Sequence, residues 1–421
     1  MVIGIYRTAY HTGMDSMNLI ISVLLTAVFF IPGFLGAFFY FKRGQVKRKL
    51  KSVQHAHYKP KVSVILPFKG EDYNFGETIK ALLSQEYDGE YEVVFVTSDT
   101  ESTAVDLVKQ YTKDSKIAKL ITVSQEKDSI HRGDKVNSML NGILNTSSTS
   151  EVYLFIDSDI VPHKKWIEKM TRPLYFKKCG LSSGGAWIVS EKSSFLSLVT
   201  RYWDFLATTY VTFPVTSFAR GFSFAIRKEV FEHIGIRDIW ANAYHDNFPI
   251  SKVVKMNGFQ IYYAPDCLVT EGFDIKGFDW VKWVKRQTIN TKVNFRHLFL
   301  ISFIFVSVPG LIGGLGFLTC VYLYAFCGFM SPIIFLFLVW PIIHFVTAFI
   351  VVSAVYSDRK IYPDFSNKMT DKLKLTLFSI VILLYYCSAV WALFSSKMEW
   401  RNQLYKTKSP FTTEIKDIEN E

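Results

Sequence analysis

The triplet Asp157-Ser158-Asp159 follows directly on the apolar run Tyr153-Leu154-Phe155-Ile156. Two carboxylates spaced i, i+2 at the end of a buried strand can offer oxygen ligands to one hard divalent cation, and such an ion neutralises a diphosphate and stabilises it as a leaving group. Solvated turns carry the same triplet, so its weight comes from where it sits. Two other candidate strand ends are acidic in the same way: Lys69-Gly70-Glu71-Asp72 and Ser98-Asp99-Thr100-Glu101. A rim lined with carboxylates repels naked phosphate. It suits a sugar hydroxyl, a nucleoside, or a metal ion that bridges to phosphate.

The elements that must hold these groups lie between Pro60 and Thr270, where short apolar runs alternate with polar helical stretches. Val62 to Pro67 and Tyr91 to Thr97 are strand candidates rich in β-branched residues, with a helical pattern from Gly76 to Gln85 between them. Ser102 to Asp114 predicts a helix, Lys119 to Val123 a strand, Lys135 to Leu144 a helix, and Val152 to Ile156 a strand. This order predicts an α/β fold with a mainly parallel sheet covered on both faces. Ligands of such sheets bind beyond the carboxyl ends of the strands, which is where the acidic groups fall.

Outside that segment the chain is strongly apolar. Asn18 to Tyr40 carries no charge, is long enough to span a bilayer, and ends at Lys42-Arg43 without a small-residue cleavage site, which favours an uncleaved anchor over a signal peptide. Leu298 to Tyr356, broken by Pro309-Gly310 and Ser331-Pro332, fits two spans, and Leu375 to Phe394 a third. Eight Lys and Arg residues between Lys42 and Lys61, with no acidic residue among them, put the following domain on the cytoplasmic side. The expected organisation is a non-cytoplasmic segment 1–16, an anchor 17–41, a basic juxtamembrane linker 42–60, a cytoplasmic domain 61–297, a transmembrane region 298–396 and a tail 397–421. Spans are expected near 298–327, 331–356 and 375–396, giving a multi-pass membrane protein. A third crossing would put the tail outside, but Lys397, Arg401, Lys406 and Lys408 belong inside, so the charges leave its side open.

Much of the formal net charge of +11 sits in those membrane flanks, where anionic lipid attracts it, which argues against nucleic acid as a partner. The 5 cysteines show no paired or metal-binding spacing. Phe195 to Val215 is aromatic but contains Arg201 and Asp204, so it reads as a helix lying on the bilayer or as a core helix rather than a span.

Several segments, in order, resemble the glycosyltransferase family 2 group and within it the ceramide glucosyltransferases. These are Ile65-Leu66-Pro67-Phe68-Lys69-Gly70-Glu71-Asp72, the stretch Val94 to Ala104, Gly133-Asp134-Lys135-Val136-Asn137, and Arg220 to Glu229. The likeness covers Lys61 to Asn290, and Trp400, Arg401 and Tyr405 resemble the tail of those enzymes. It implies a GT-A (Rossmann-like) catalytic domain and a nucleotide-sugar donor held by Pro67, Lys69, Asp72, Asp99, Glu101, Lys135, Asp157 and Arg286. It further implies Mg²⁺ or Mn²⁺ on Asp157 and Asp159, and a lipid acceptor. UDP-glucose as donor and ceramide as acceptor rest on the resemblance alone.

The family's acidic pair, whose second member is the general base, reads His245-Asp246 here. The aspartate that would take the acceptor hydroxyl's proton is kept, and the histidine replaces only its neighbour. The plain alternative for Asp246 is a helix N-cap, since an apolar-periodic stretch follows it. The family's Gln/Arg-x-x-Arg-Trp motif reads Trp283-Val284-Lys285-Arg286-Gln287, which keeps the arginine alone. His245, Trp283, Lys285 and Gln287 are therefore accessory candidates, and Trp280 and Trp283 among lysines also fit an interfacial helix. The expected reaction is one inverting displacement. Rival acceptors are diacylglycerol, a polyprenyl phosphate or a polysaccharide, and a rival of another class is a non-catalytic membrane scaffold with a degenerate site. Oligomeric state is not legible in the sequence.

Overall fold

The computed structural model describes residues 37–53, 58–72, 74–123, 132–189, 211–272, 278–304, 382–395, 397–400, 403–409 and 411–417, with scattered residues between 200 and 208 and between 315 and 353. A helix α1 (37–52) leads into β1 (Val62–Phe68), α2 (Phe75–Leu83), β2 (Tyr91–Thr97), α3 (Thr103–Thr112), β3 (Ala118–Thr122), α4 (Asp134–Leu144) and β4 (Val152–Ile156). Then come β5 (Ile160–Val161), α5 (Trp166–Thr171), β6 (Cys179–Val189), β7 (Ser223–Arg227), α6 (Lys228–His233), α7 (Ile236–Trp240), α8 (Asn247–Met256) and β8 (Gln260–Gly272). The chain continues through α9 (Phe278–Asn294), α10 (Arg296–Ser302) and α11 (Ile382–Phe394) to β9 (Lys397–Trp400), β10 (Gln403–Ser409) and β11 (Thr412–Asp417).

One 8-stranded sheet runs in the order β3-β2-β1-β4-β7-β6-β8-β5. The half built from β3, β2, β1 and β4 is parallel, as the alternation of strands and helices predicts. Beyond β4 the sheet turns mixed: β7 runs antiparallel to β4 and to β6, β8 is parallel to β6, and β5 is antiparallel to β8. Every residue of β1 is buried, because alternate side chains enter two different cores. Val62, Val64 and Leu66 meet α2, α3 and α5 on one face, while Ile65 meets α4 and α8 on the other. The near-continuous apolar runs of β1, β2 and β4 follow from that double burial.

Close packing of α4 aims the site. A Cβ on Gly142 would stand 2.7 Å from Ile65 Cγ2 and 3.0 Å from Val96 Cγ2, so this glycine lets the helix lie tight on the sheet. The N-terminus of α4, with Lys135 in its first turn, is thereby fixed at the carboxyl ends of the parallel strands.

Basic residues expected to form a linker are helical as far as residue 52 and turn onto the domain. Lys49 donates to Tyr262 Oη at 2.6 Å and sits 4.4 Å from the Phe176 ring centroid, and Lys47 lies 3.8 Å from Asp266. In the region of Phe195 to Val215, the described Thr200, Asp204, Thr208 and Thr212 are all buried, a stripe at helical spacing that faces protein. Asp204 is paired there with Arg220, which answers its charge. Trp280 is likewise buried and donates to Thr200 Oγ1 at 2.9 Å, and its companion Trp283 meets Trp203 edge-on at 6.2 Å.

Among the described residues, no helix is long and apolar enough to cross a membrane. The expected anchor 17–41 lies outside the described residues except for its last turn, and the expected spans 298–327, 331–356 and 375–396 lie largely outside them. The described part of the last of these is α11, which packs along α9. Thr288 and Ser388 hydroxyls meet at 2.8 Å, and Lys292 donates to the carbonyls of Ala392 and Ser395 at 2.5 and 2.8 Å. The tail forms a three-stranded antiparallel sheet in the order β11-β10-β9.

Candidate active site

Three loops and a helix start converge on one ammonium group. Lys135 Nζ stands 2.5 Å from Asp157 Oδ1 and 3.0 Å from Asp246 Oδ2, and 3.4 Å from the carbonyl of Gly221 at the entry to β7. The backbone N–H of Asp157 donates to the Phe222 carbonyl at 3.1 Å, so the chain leaving β4 is pinned to the chain entering β7. Ser158 donates to Asp72 Oδ2 at 2.5 Å and so ties the loop after β1 to the acidic triplet. Burial, and then the neighbouring Asp157 and Asp72 carboxylates, push Asp159 up to about 7. Burial also pushes Asp157 up to about 6, with Lys135 pulling the other way and Asp246 and Asp72 adding to the rise. Burial pulls the Lys135 ammonium down, but Asp157 and Asp246 together outweigh it and hold the group above the usual lysine range.

Asp246 occupies the N-cap position of α8, with helical φ −77° and ψ −52°, yet its side chain makes no cap hydrogen bond. It faces Lys135 instead and is only 4% exposed. Its backbone carbonyl accepts from Trp240 Nε1 at 3.0 Å, which fixes the turn. A charge held inside the domain rather than on the helix end is not what a simple cap requires.

A cleft of about 610 Å³ opens beyond β1, β2 and β3, lined by Lys69, Asp99, Glu101, Thr122 and Val123 among others. Lys69 Nζ lies 2.8 Å from Asp134, the neighbour of Lys135, so the cleft and the carboxylate cluster adjoin through α4. The expected donor residues Lys69, Asp99 and Glu101 thus share the cleft, while Asp72, Lys135 and Asp157 share the cluster. Pro67 is buried inside β1, paired with Val96, and is not among the residues lining the cleft.

His245 lies in the same turn as Asp246. Its ring is 3.9 Å from that of Tyr244 and 5.8 Å from that of Phe248. Burial pushes it down to about 3, with Asp246 pulling the other way and the cations Arg286 and Lys135 adding to the fall, so it is neutral at ordinary pH. Arg286 also acts on Tyr244, which places the guanidinium on this side of the site. The other accessory candidates have different partners. Trp283 meets Trp203, Lys285 lies 4.3 Å over the Trp391 ring, and the Gln287 carbonyl accepts from Thr291.

Asp157 and Asp159 fit a divalent ion by chemistry and by charge. They are hard oxygen donors, and with Asp72 and Asp246 they leave more negative charge than Lys135 balances. Among the described residues, no group of three or more His, Cys, Asp or Glu side chains is placed to hold such an ion unaided. A two-carboxylate set leaves coordination positions for phosphate oxygens, the usual arrangement for Mg²⁺.

Residues 28–411 match the family model described as Glycosyl transferase family 21. The chain belongs to that family. The motif likeness pointed to family 2; the match extends past it into the tail and carries the number 21. Among solved structures, a mannosyltransferase from Pyrobaculum calidifontis in complex with GDP-Man and Mn²⁺ is similar at 16% identity, over 89% of this chain and 97% of that one, with a TM-score of 0.44. Glucosyl-3-phosphoglycerate synthase from Mycobacterium tuberculosis, bound to Mn²⁺, UDP and phosphoglyceric acid, is similar at 17% identity over 57% of this chain and 80% of that one, with a TM-score of 0.36. GalNAc-T7 with UDP, GalNAc and Mn²⁺ is similar at 12% identity over 60% and 51% of the two chains, with a TM-score of 0.38. No curated protein matches the chain.

Two features of the site were not singled out from the sequence: the bridging position of Lys135 between Asp157 and Asp246, and the packing of Tyr244 against the tail. The first has a signal in retrospect, a lysine in the first turn of a helix that starts where carboxylates gather. The second depends on a contact between residues 161 positions apart, 405 − 244, which no local pattern reveals.

Proposed function

We propose that this family 21 glycosyltransferase is a GT-A membrane enzyme whose cytoplasmic site transfers a hexose, glucose by resemblance, from a nucleotide sugar to a lipid hydroxyl such as that of ceramide. The observation that carries the proposal is the sharing of Lys135 by Asp157 and Asp246, which brings the expected metal and base carboxylates to one point from separate loops. The cleft holding Asp99 and Glu101 takes the nucleoside, and the diphosphate extends from it toward Asp157. A divalent ion on Asp157 and Asp159, Mg²⁺ or Mn²⁺, would supply charge neutralisation of the diphosphate when bound. Asp246 accepts the proton as the acceptor oxygen bonds to the anomeric carbon and the carbon–diphosphate bond breaks. Lys135 holds the Asp246 carboxylate in place and adds positive charge beside the leaving group, with Arg286 behind the same turn. One base on the face opposite the leaving group gives inversion with no covalent intermediate. The long apolar runs within 17–41 and 298–396 support a domain held at the bilayer, where a lipid acceptor is within reach.

Membranes containing the protein test this reading. They are given a panel of nucleotide sugars with ceramide, diacylglycerol or polyprenyl phosphate, with and without EDTA, and any glycolipid is identified by mass. The expected result is a hexosylated lipid whose formation stops with EDTA. Transfer that is indifferent to EDTA removes the metal role, and the absence of any product with every pair removes the reaction.

A further inference from the structure

We infer that the C-terminal strands are part of the catalytic unit, on its side of the membrane, and that Tyr405 is a positioning residue for the His245-Asp246 turn. The inference rests on the proposed function for what that turn does, but not for where the tail lies. Tyr405 on β10 is 3% exposed, and its ring is 4.5 Å from that of Tyr244 at 34°. Tyr244 in turn lies 3.9 Å from the His245 ring, one residue from Asp246. Together with Ile289, Phe299, Ala389 and Ala392, the two tyrosines form a small buried core of their own.

The backbone of this turn is already clamped on its other side. Gly133 N–H donates to the Ala243 carbonyl at 3.3 Å, and a Cβ on Gly133 would stand 2.5 Å from the Tyr244 carbonyl oxygen. Lys135 and Asp246 therefore meet because the start of α4 and the turn before α8 are in backbone contact. Tyr244 is the side chain that leaves this junction, with Asn290 Nδ2 donating to its hydroxyl at 3.5 Å, and Tyr405 is the ring laid over it. Without that ring, Tyr244 has room to move, and the carboxylate two residues along moves with it. A shift of that order is costly for a base, since misplacement by about 1 Å can lower turnover about a hundredfold.

The docking also bears on topology. A tail that packs on α9 and on Tyr244 shares their side of the bilayer, so any crossings between residues 298 and 394 are even in number. The three spans expected from hydropathy would put it on the opposite side. A second contact supports the docking at a different point: Lys252 of α8 lies 5.3 Å from the Phe411 ring centroid in the turn between β10 and β11.

Tail placement is tested without any assay of activity. Lys252→Cys and Phe411→Cys are combined in the full chain, treated in native membranes with a short membrane-permeant bismaleimide, and the linked peptide is sought by mass spectrometry, with each single variant as control. The link should form only in the double variant; its absence overturns the docking. Turnover tests the positioning role. Tyr405→Ala should lower kcat about tenfold to a hundredfold with donor KM changed less than about twofold, and Tyr405→Phe should recover most of the loss. Equal loss in both variants, or a loss confined to KM, overturns it. If the wild-type chain transfers nothing, the proposed reaction has failed, and the cross-link still decides where the tail lies.

Discussion

Removing the Lys135 ammonium should expose how much of the site's stability depends on it. In Lys135→Met, the stem is replaced by a chain of similar length, and Asp246 is left buried with its partner gone. The Asp246 side chain is 5% exposed, against 27% for Lys135 and 28% for Asp157. Breaking a fully buried pair from one side costs about 3–5 kcal/mol, and the partial exposure of the lysine lowers that to about 2–4 kcal/mol. For a catalytic domain of this size, that is a fall of about 5–15 °C in thermal midpoint. The sign of the pH dependence is fixed by the direction of the shifts. Lys135 is held above its ordinary value, so its contribution is fully present at neutral pH. In the variant, Asp157, already pushed up to about 6 by burial, loses the opposing pull of Lys135 and carries its cost only while ionised, so the deficit should shrink as pH falls toward about 5. The assay is thermal unfolding of the detergent-purified full chain, run as a cycle with Asp246→Asn. The double variant should recover about 1–3 kcal/mol relative to Lys135→Met. If the single effects instead add within about 0.5 kcal/mol, the two groups are not coupled and the bridging role is wrong.

Three other outcomes follow from the same geometry. Asp157 and Asp159 are raised to about 6 and about 7, and an ion binds only their ionised forms, so Mn²⁺ affinity should climb from about pH 5 to about pH 8 with proton release on binding. Calorimetry in buffers of different ionisation enthalpy measures this, and an affinity flat across that range would remove these two carboxylates as ligands. Without metal the same pair should make the protein more stable as pH falls from about 7 toward 4, because the folded form then binds more protons than the unfolded one. Gly133→Ala would press a methyl group to 2.5 Å from the Tyr244 carbonyl oxygen, a backbone atom that cannot swing aside, and should cost about 1–3 kcal/mol with a matching loss of turnover. An unchanged thermal midpoint would mean that the two loops are not held as described.

The three inner strands of the parallel half were legible because they are buried on both faces. Val62 to Pro67, Tyr91 to Thr97 and Val152 to Ile156 are read from apolar runs, and the structure places strands there within a residue. The mixed half was less so. β6 and β8 contain glycines, serines and a proline that dilute the apolar pattern, and their order in the sheet depends on long-range pairing. Asp246 was legible as a residue but not as a choice between cap and buried charge, since both begin a helix; only its orientation toward Lys135 separates them. The basic stretch 42–60 reads as a membrane flank because positive charge is what such flanks carry. In the structure Lys47 and Lys49 also contact the domain, through Asp266, Phe176 and Tyr262. The tail strands were missed because β9 to β11 are short and rich in Lys, Thr and Glu, and gain their order from packing against α9.

The central claim is that Asp246 takes the acceptor's proton inside a site shared with Asp157. The measurement that bears on it most directly is the rate of glycolipid formation by Asp246→Asn in membranes holding equal amounts of variant and wild-type protein. Asparagine keeps the shape of the turn and the Trp240 contact to its carbonyl, so nucleotide-sugar binding should persist while transfer falls by about a hundredfold to ten-thousandfold. Transfer at the wild-type rate by Asp246→Asn would contradict the account.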